Sequence, residues 1–389
     1  MTDNNPKSQP KTLYIILGVF IVLVIAAGAI FYPKAAQLWS QPLGPGLELP
    51  TYTATTLPPT VTEEPTQEEV VLEPATEAAP ATETEALTPT VEPTAAPEPM
   101  CGGPPVMYIL GIGADADDYL YGLADVMRIA RVDFITPKVT ILSMPRDLWV
   151  EIPGISDHYD ITHGKLNQSY LYGNPGMGYY DESGDGPGLL ARTLDLNFGL
   201  RVDHYGAVNM TVFKKIVDRL GGIDIYLPTD VDGRPKEGSD AENMGYFIAG
   251  QNHFNGDQAL RFARIRNKYN DFVRQDNQTM VLCALKDQLL SPSVLPHIPG
   301  LVTDFRGEML TDLSPQQVGQ LACLLPKLAK ENLLFASMPQ EILNPDRVFS
   351  PQQNDYTFIL DVDNSEVRGY IQRFMDGTWP DKPKEPTCP

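Results

Sequence analysis

Apolar residues change their spacing twice along the chain. From Thr12 to Tyr32 (TLYIILGVFIVLVIAAGAIFY) they run without a charge, and about 20 such residues suffice for a helix to cross a bilayer's hydrocarbon core. From 33 to 102 they thin out among Pro, Thr, Ala and Glu, and residues 41–100 contain no Lys or Arg. From Gly103 onward they return at the spacing of folded elements. Alternation predicts strands at Val106–Ile112 (VMYILGI), Val126–Val132 (VMRIARV), Val139–Met144 and Trp149–Ile152. Leu189–Phe198 has helical periodicity. His204–Asn209 reads as a strand, Thr211–Leu220 as a helix stopped by Gly221 and Gly222, and Ile223–Leu227 as a further strand.

Asn255 is placed to cap a helix through Ala263, and Asp276–Leu290 predicts a longer one. Strands alternating with helices imply an α/β sandwich around a central sheet. After Ser291 the texture shifts. Ser314, Pro315 and Gln317 combine a cap, a first-turn proline and a capping-box glutamine, opening an amphipathic helix to about Lys330. Leu333–Met338 reads as a strand and Glu366–Met375 as a last helix. Residues 103–290 are therefore expected to be the main domain, and 291–389 an α/β annex packed on it.

Charge orients the first segment. Lys7 and Lys11 precede the apolar run and Lys34 alone follows it closely. The positive-inside rule then places residues 1–11 in the cytoplasm, 12–32 in the membrane as a single-pass anchor, and the rest outside. The run continues past Ala27-Gly28-Ala29, which favours an uncleaved anchor over a signal peptide. Residues 33–102 cannot bury enough apolar surface to offset their ordering entropy, so a disordered, extended linker is expected. The net charge is −21, and residues 1–100 hold three basic against twelve acidic side chains. The remainder, 26 basic against 38 acidic, is still acidic, which argues against a nucleic-acid partner. Four cysteines (Cys101, Cys283, Cys323, Cys388) allow three pairings. Cys101 and Cys388 bracket the domain, so a terminus-to-terminus staple is one reading and unpaired thiols another.

Signatures of common catalytic sites are absent: no GxSxG, no HExxH, no glycine-rich loop ending in Lys-Ser/Thr, and Gly111-Ile112-Gly113 lacks a third glycine. The histidines are scattered and read as structural. Arginines are more informative. Arg146 and Asp147 end a strand; Arg264 and Arg266 share a face if that segment is extended; Asp271 and Arg274 follow, with Gln278 one helical turn later. Forked guanidiniums match phosphate oxygens, and several in one cleft would make a polyphosphate site. Surface salt bridges are the alternative.

Asp125 before an apolar strand, then LSMPRDLWVEIPG, HGKLNQSYLYG, GPGLLARTL, DHYGAVN, VDRLGGIDI, GQNHFNGDQALRFARIR and DFVRQDNQ occur in order. Together they resemble the LytR-CpsA-Psr (LCP) family, also described as cell-envelope-related transcriptional attenuators, over about residues 106–290. The resemblance implies a central mixed β-sheet sandwiched by helices, with a long apolar pocket for a prenyl tail. It implies a phosphotransferase that moves a glycopolymer from an undecaprenyl-pyrophosphate carrier to peptidoglycan or another envelope acceptor. By matched motif positions, Arg146, Arg264, Arg266, Arg274 and Gln278 would clamp the pyrophosphate. Asp125, with Asp115, would hold Mg²⁺ (or Mn²⁺). Asp147 and Asp271 would orient arginines or accept the acceptor's proton, and Lys165 and Asn167 would lie near the cleft. Three positions depart from the pattern: Gly113 stands for an aspartate, Leu123 for an arginine, and Asn277 at a further arginine position. These departures leave a non-catalytic lipid-carrier-binding or wall-scaffolding protein as the alternative. A transcription regulator is disfavoured by the acidic domain and the lack of a recognition helix.

Overall fold

The computed structural model describes residues 37–50, 97–266, 271–294, 305, 307–350, 355–381 and 388. The chain forms two units, residues 1–49 with 98–389 and residues 50–97, and the fold lies in the first. Among the described residues no helix is long and apolar enough to cross a membrane; the expected span at 12–32 lies outside them.

A six-stranded mixed sheet forms the centre. Its first three strands are β1 (Val106–Ala114), β2 (Ala124–Asp133) and β3 (Lys138–Ser143), and His204–Val208 forms β6. The edge strands are β11 (Leu310–Thr311) and β12 (Leu333–Ser337), giving the order β11-β6-β1-β2-β3-β12. β2 pairs antiparallel with β1 and β3, whereas β6 runs parallel to β1 and β12 parallel to β3. Three short antiparallel pairs accompany this sheet: β4 (Trp149–Glu151) with β5 (His163–Lys165), β7 (Ile223–Leu227) with β10 (Gly250–Phe254), and β8 (Val231–Asp232) with β9 (Tyr246–Phe247).

Alternation along β1 and β2 gives the sheet two different faces. Leu110, Ile112, Met127, Ile129 and Leu142 enter the main core. There they meet α1 (Leu166–Gly173), α2 (Asp185–Phe198) and α7 (Asn364–Met375), through residues such as Tyr170, Leu190 and Ile371. Each fully buried side chain of this size contributes about 1.5–3 kcal/mol. The opposite face carries Ile109, Gly111, Gly113, Val126, Arg128 and Ala130. It is roofed by α3 (Met210–Arg219), α4 (Gly256–Ala263) and α5 (Asp271–Leu289), but an open cavity remains beneath them. Further along this face Met107 and Val132 pack on Leu324 of α6 (Pro315–Leu324).

Residues 291–389 are not an annex. They supply both edge strands of the central sheet, and α7 buries Val367, Ile371 and Phe374 in the main core. The unpaired edge of β3 accepts Leu333–Ser337 as a parallel partner, which draws the C-terminal segment into one domain. The linker expectation also fails for residues 41–49. Leu43 N–H donates to Leu313 O (3.2 Å), Tyr205 Oη to Pro45 O (3.0 Å) and Ser183 Oγ to Gly46 O (2.7 Å), while Leu47 and Leu49 pack on the core. Gly44 permits this close approach, because a Cβ there would stand 2.7 Å from Thr311 O. The cysteines pair as Cys101–Cys323 and Cys283–Cys388, which corrects both the terminal staple and the free thiols. The packing of α6 on the Met100–Gly102 turn accounts for the first pairing.

Candidate functional site

Two cavities meet where β1 and β2 separate. One, of about 360 Å³, lies between the sheet and α3, α4 and α5; it is lined by Ile109, Ala130, Ile141, Phe213, Leu260 and Val281. Its floor is low because Gly111, Gly113 and Gly206 carry no side chain. The other, of about 410 Å³, is a polar cleft. Asp115, Asp125, Arg264 and Arg274 line both, so the charged groups stand at the mouth of the apolar space.

Asp125 organises this junction. It is the second residue of β2, its amide donates to Leu123 O, and each carboxylate oxygen accepts from a different guanidinium. Arg146 Nη1 reaches Oδ1 at 2.6 Å and Arg274 Nη1 reaches Oδ2 at 2.9 Å. Arg146 comes from the loop after β3, where its carbonyl accepts from Asn167 N–H at 3.1 Å. Arg274 comes from the first turns of α5 and is buried. Burial pushes the Asp125 carboxyl up, but the charges and hydrogen bonds of Arg146 and Arg274 outweigh it and hold the carboxyl below its ordinary range.

Asp115 behaves oppositely. Burial pushes its carboxyl up against the hydrogen bond it accepts from Leu123 N–H (2.5 Å), and nearby Asp125 adds to the rise. Asp147 accepts from Lys165 Nζ at 2.9 Å and faces Arg146 Nε at 3.4 Å. Lys165 ends β5 and precedes α1.

Arg264 caps the C-terminal end of α4 in a helical conformation, not an extended one. It still shares the cleft with Arg266, because Ile265 between them is buried in the core. Arg264 Nη1 pairs with Glu242 Oε2 at 3.0 Å. Gln278 lines the apolar cavity near its mouth, its Nε2 at 3.5 Å from Ala263 O. Asn167 is buried at the cleft wall. Asp271 opens α5, and its side chain lies outside the described residues.

At the departures, Leu123 lines the polar cleft and Gly113 the apolar cavity. Asn277 turns toward α4, its Nδ2 at 3.4 Å from Phe262 O. The sequence reading passed over Glu242 and Arg128, which also belong to these walls. Arg128 stands alone in an apolar strand and Glu242 in a loop without a pattern, so no motif marks either one.

Five cations (Arg146, Lys165, Arg264, Arg266, Arg274) face four carboxylates (Asp115, Asp125, Asp147, Glu242) in the described cleft. An excess of cations in so acidic a chain favours an anionic ligand, and the adjoining apolar space favours one with a hydrocarbon tail.

The LytR_cpsA_psr family is matched over residues 98–368. The chain belongs to the LytR-CpsA-Psr family. Among its relatives, regulatory protein MsrR of Staphylococcus aureus is 29% identical over 216 residues, covering 54% of this chain and 58% of that protein. The polyisoprenyl-teichoic acid–peptidoglycan teichoic acid transferase TagV of Bacillus subtilis is 28% identical over 260 residues, 66% of this chain and 61% of that protein. The chain thus spans about three-fifths of these LCP relatives. The crystal structure of B. subtilis TagV superposes with a TM-score of 0.53 at 25% identity, covering 70% of this chain and 97% of that one. Protein gbs0355 of Streptococcus agalactiae shares the LCP fold with a TM-score of 0.53 at 18% identity, covering 72% of this chain and 90% of that one.

Proposed function

We propose that this chain transfers a glycopolymer from an undecaprenyl-pyrophosphate carrier to peptidoglycan or another cell-envelope acceptor. The observation that carries the reading is the pairing of Arg146 and Arg274 on Asp125, with Arg264 lining the same cleft, at the mouth of an apolar cavity. The family relationship to TagV, named a teichoic acid transferase, supports it.

In this reading the prenyl tail enters the cavity between the sheet and α3–α5, and the pyrophosphate rests among Arg146, Arg264, Arg266, Arg274 and Gln278. Guanidiniums already fixed by Asp125 and Asp147 need little reorganisation as charge builds on the departing lipid phosphate. An acceptor hydroxyl attacks the sugar-side phosphorus, the bond to the lipid phosphate breaks, and a phosphodiester to the acceptor forms. Asp115 and Asp125, which both line the cleft, are the carboxylates that would hold Mg²⁺, since this ion commonly takes one or two carboxylates plus substrate phosphates. Bound there, it would supply further neutralisation of the phosphate charge.

The anchor at 12–32 would hold residues 1–11 in the cytoplasm and the domain outside. The two disulfides suit an oxidising compartment.

The experiment is to give the full chain a short lipid-linked sugar pyrophosphate, with and without Mg²⁺, and follow phosphate release or transfer. Arg264→Ala and Arg274→Ala are expected to lower a metal-dependent rate by about 100-fold or more. A second reading, carrier binding without turnover, is favoured by Asp125, both of whose oxygens are engaged by arginine, and by Leu123 in the cleft wall. Binding without any cleavage would select it; no binding at all would reject both.

A further inference from the structure

The apolar cavity contains a buried cation that the clamp described above does not use. Arg128 lies mid-way along β2 on the cavity face, opposite Gly111, and is 7% exposed. It lines the apolar cavity but not the polar cleft. Its position is therefore deeper than the Asp125 cluster, on the side where a lipid tail would lie.

Its hydrogen bonds do not balance its charge. Nη1 donates to Thr279 Oγ1 at 3.2 Å and Nη2 to Gln275 O at 2.9 Å, both neutral acceptors on α5. Nε is buried and has no hydrogen-bond partner among the described residues, and no described carboxylate lies within ion-pair distance of the guanidinium. Asp276 acts on it only at longer range, and Arg274 repels it. Burial pushes the guanidinium down to about 10, so it remains charged at neutral pH. Helix α5 does not depend on this contact, because Thr279 Oγ1 already donates to Gln275 O at 2.9 Å. A buried charge without a counter-ion is costly, and an apolar side chain of similar volume would fill the site as well. The arrangement becomes favourable when an anion shares the cavity.

We propose that Arg128 binds the phosphate nearest the prenyl chain, at the point where the anionic head group passes into the apolar cavity. Arg146, Arg264 and Arg274 would then hold the outer, sugar-bearing phosphate. This inference rests on the polyprenyl-pyrophosphate reading of the site and adds to it the ligand of the inner phosphate. Arg128 is a binding residue in this scheme, with a role separable from the tie between β2 and α5.

The test is equilibrium binding of geranylgeranyl monophosphate and of geranylgeraniol, which differ by that one phosphate, to the purified full chain. Wild type is expected to prefer the monophosphate by about 10-fold or more. Arg128→Met should bring the two affinities close together while leaving alcohol binding in place, and Arg128→Lys should restore part of the preference. If Arg128→Met does not fold, Arg128→Gln serves, since its amide can still donate to Gln275 O while the charge is gone. A folded Met or Gln variant that keeps the full preference would overturn the proposal. So would one that weakens alcohol and monophosphate equally, since that is the result of a structural tie. Wild type that binds neither compound would instead reject the carrier-binding reading itself.

Discussion

Asp125 performs two tasks with one carboxylate: it spaces Arg146 from Arg274, and it faces the same cleft as Asp115. Burial is the main cause that raises the Asp115 carboxyl, and the charge of nearby Asp125 adds to the rise. Position 113 shows how tightly the neighbouring strands constrain such chemistry. A Cβ there would stand 3.0 Å from Val126 Cβ and 3.1 Å from Val126 Cγ2. Gly113→Asp, which would add the carboxylate the family pattern leads one to expect, therefore collides with the partner strand. It should destabilise the domain by about 1–3 kcal/mol, and Val126→Ala should recover part of that loss. Thermal unfolding of the single and double variants checks this; equal stability of Gly113→Asp and wild type would show that the strands yield.

At the scale of elements, strands β1, β2 and β3 were legible from their apolar residues, and the structure sends alternate positions to the main core and to the cavity face. The cap at Ser314 was equally legible: its hydroxyl accepts from Gln317 N–H while Gln317 returns to the Ser314 amide. Ser314→Ala should cost about 1 kcal/mol, read by denaturant unfolding. A change indistinguishable from zero would mean that α6 is held by packing and its disulfide alone. Helix α1 escaped the sequence reading because Leu166, Asn167, Ser169, Tyr170 and Tyr172 are all buried, so it has no polar face to mark its period. The hairpin of β13 (Asn344–Ser350) and β14 (Asp355–Asp361) escaped for the opposite reason. Its exposed positions and Pro345 read as loop. α5 begins at Asp271, five residues before the expected start, and so carries Arg274 and Gln278 on one helix facing the cavity mouth. In the site, the arginines that stand in local motifs were legible. Arg128 was not, because a single arginine in an apolar strand carries no motif; its meaning depends on which face the sheet leaves open.

At the scale of the whole molecule, segments far apart in sequence complete one folded unit. Residues 41–49 lie against Tyr205 and Leu313, and the segment after residue 309 contributes two sheet strands and a core helix. Cys101–Cys323 links the entry to β1 with α6, and Cys283–Cys388 links α5 to the C-terminus. Non-reducing peptide mapping should recover these two cross-links alone; a Cys101–Cys388 peptide would contradict the fold as described. The central claim is that one ligand spans both cavities, head in the polar cleft and tail in the apolar space. The measurement that tests it most directly is a crystal structure of the domain with geranylgeranyl pyrophosphate and Mg²⁺. The account predicts phosphate oxygens within hydrogen-bond distance of Arg146, Arg264 and Arg274, and the prenyl chain running over Gly111 toward Ala130. A ligand bound elsewhere, or an occupied cleft with the tail left in solvent, would contradict it.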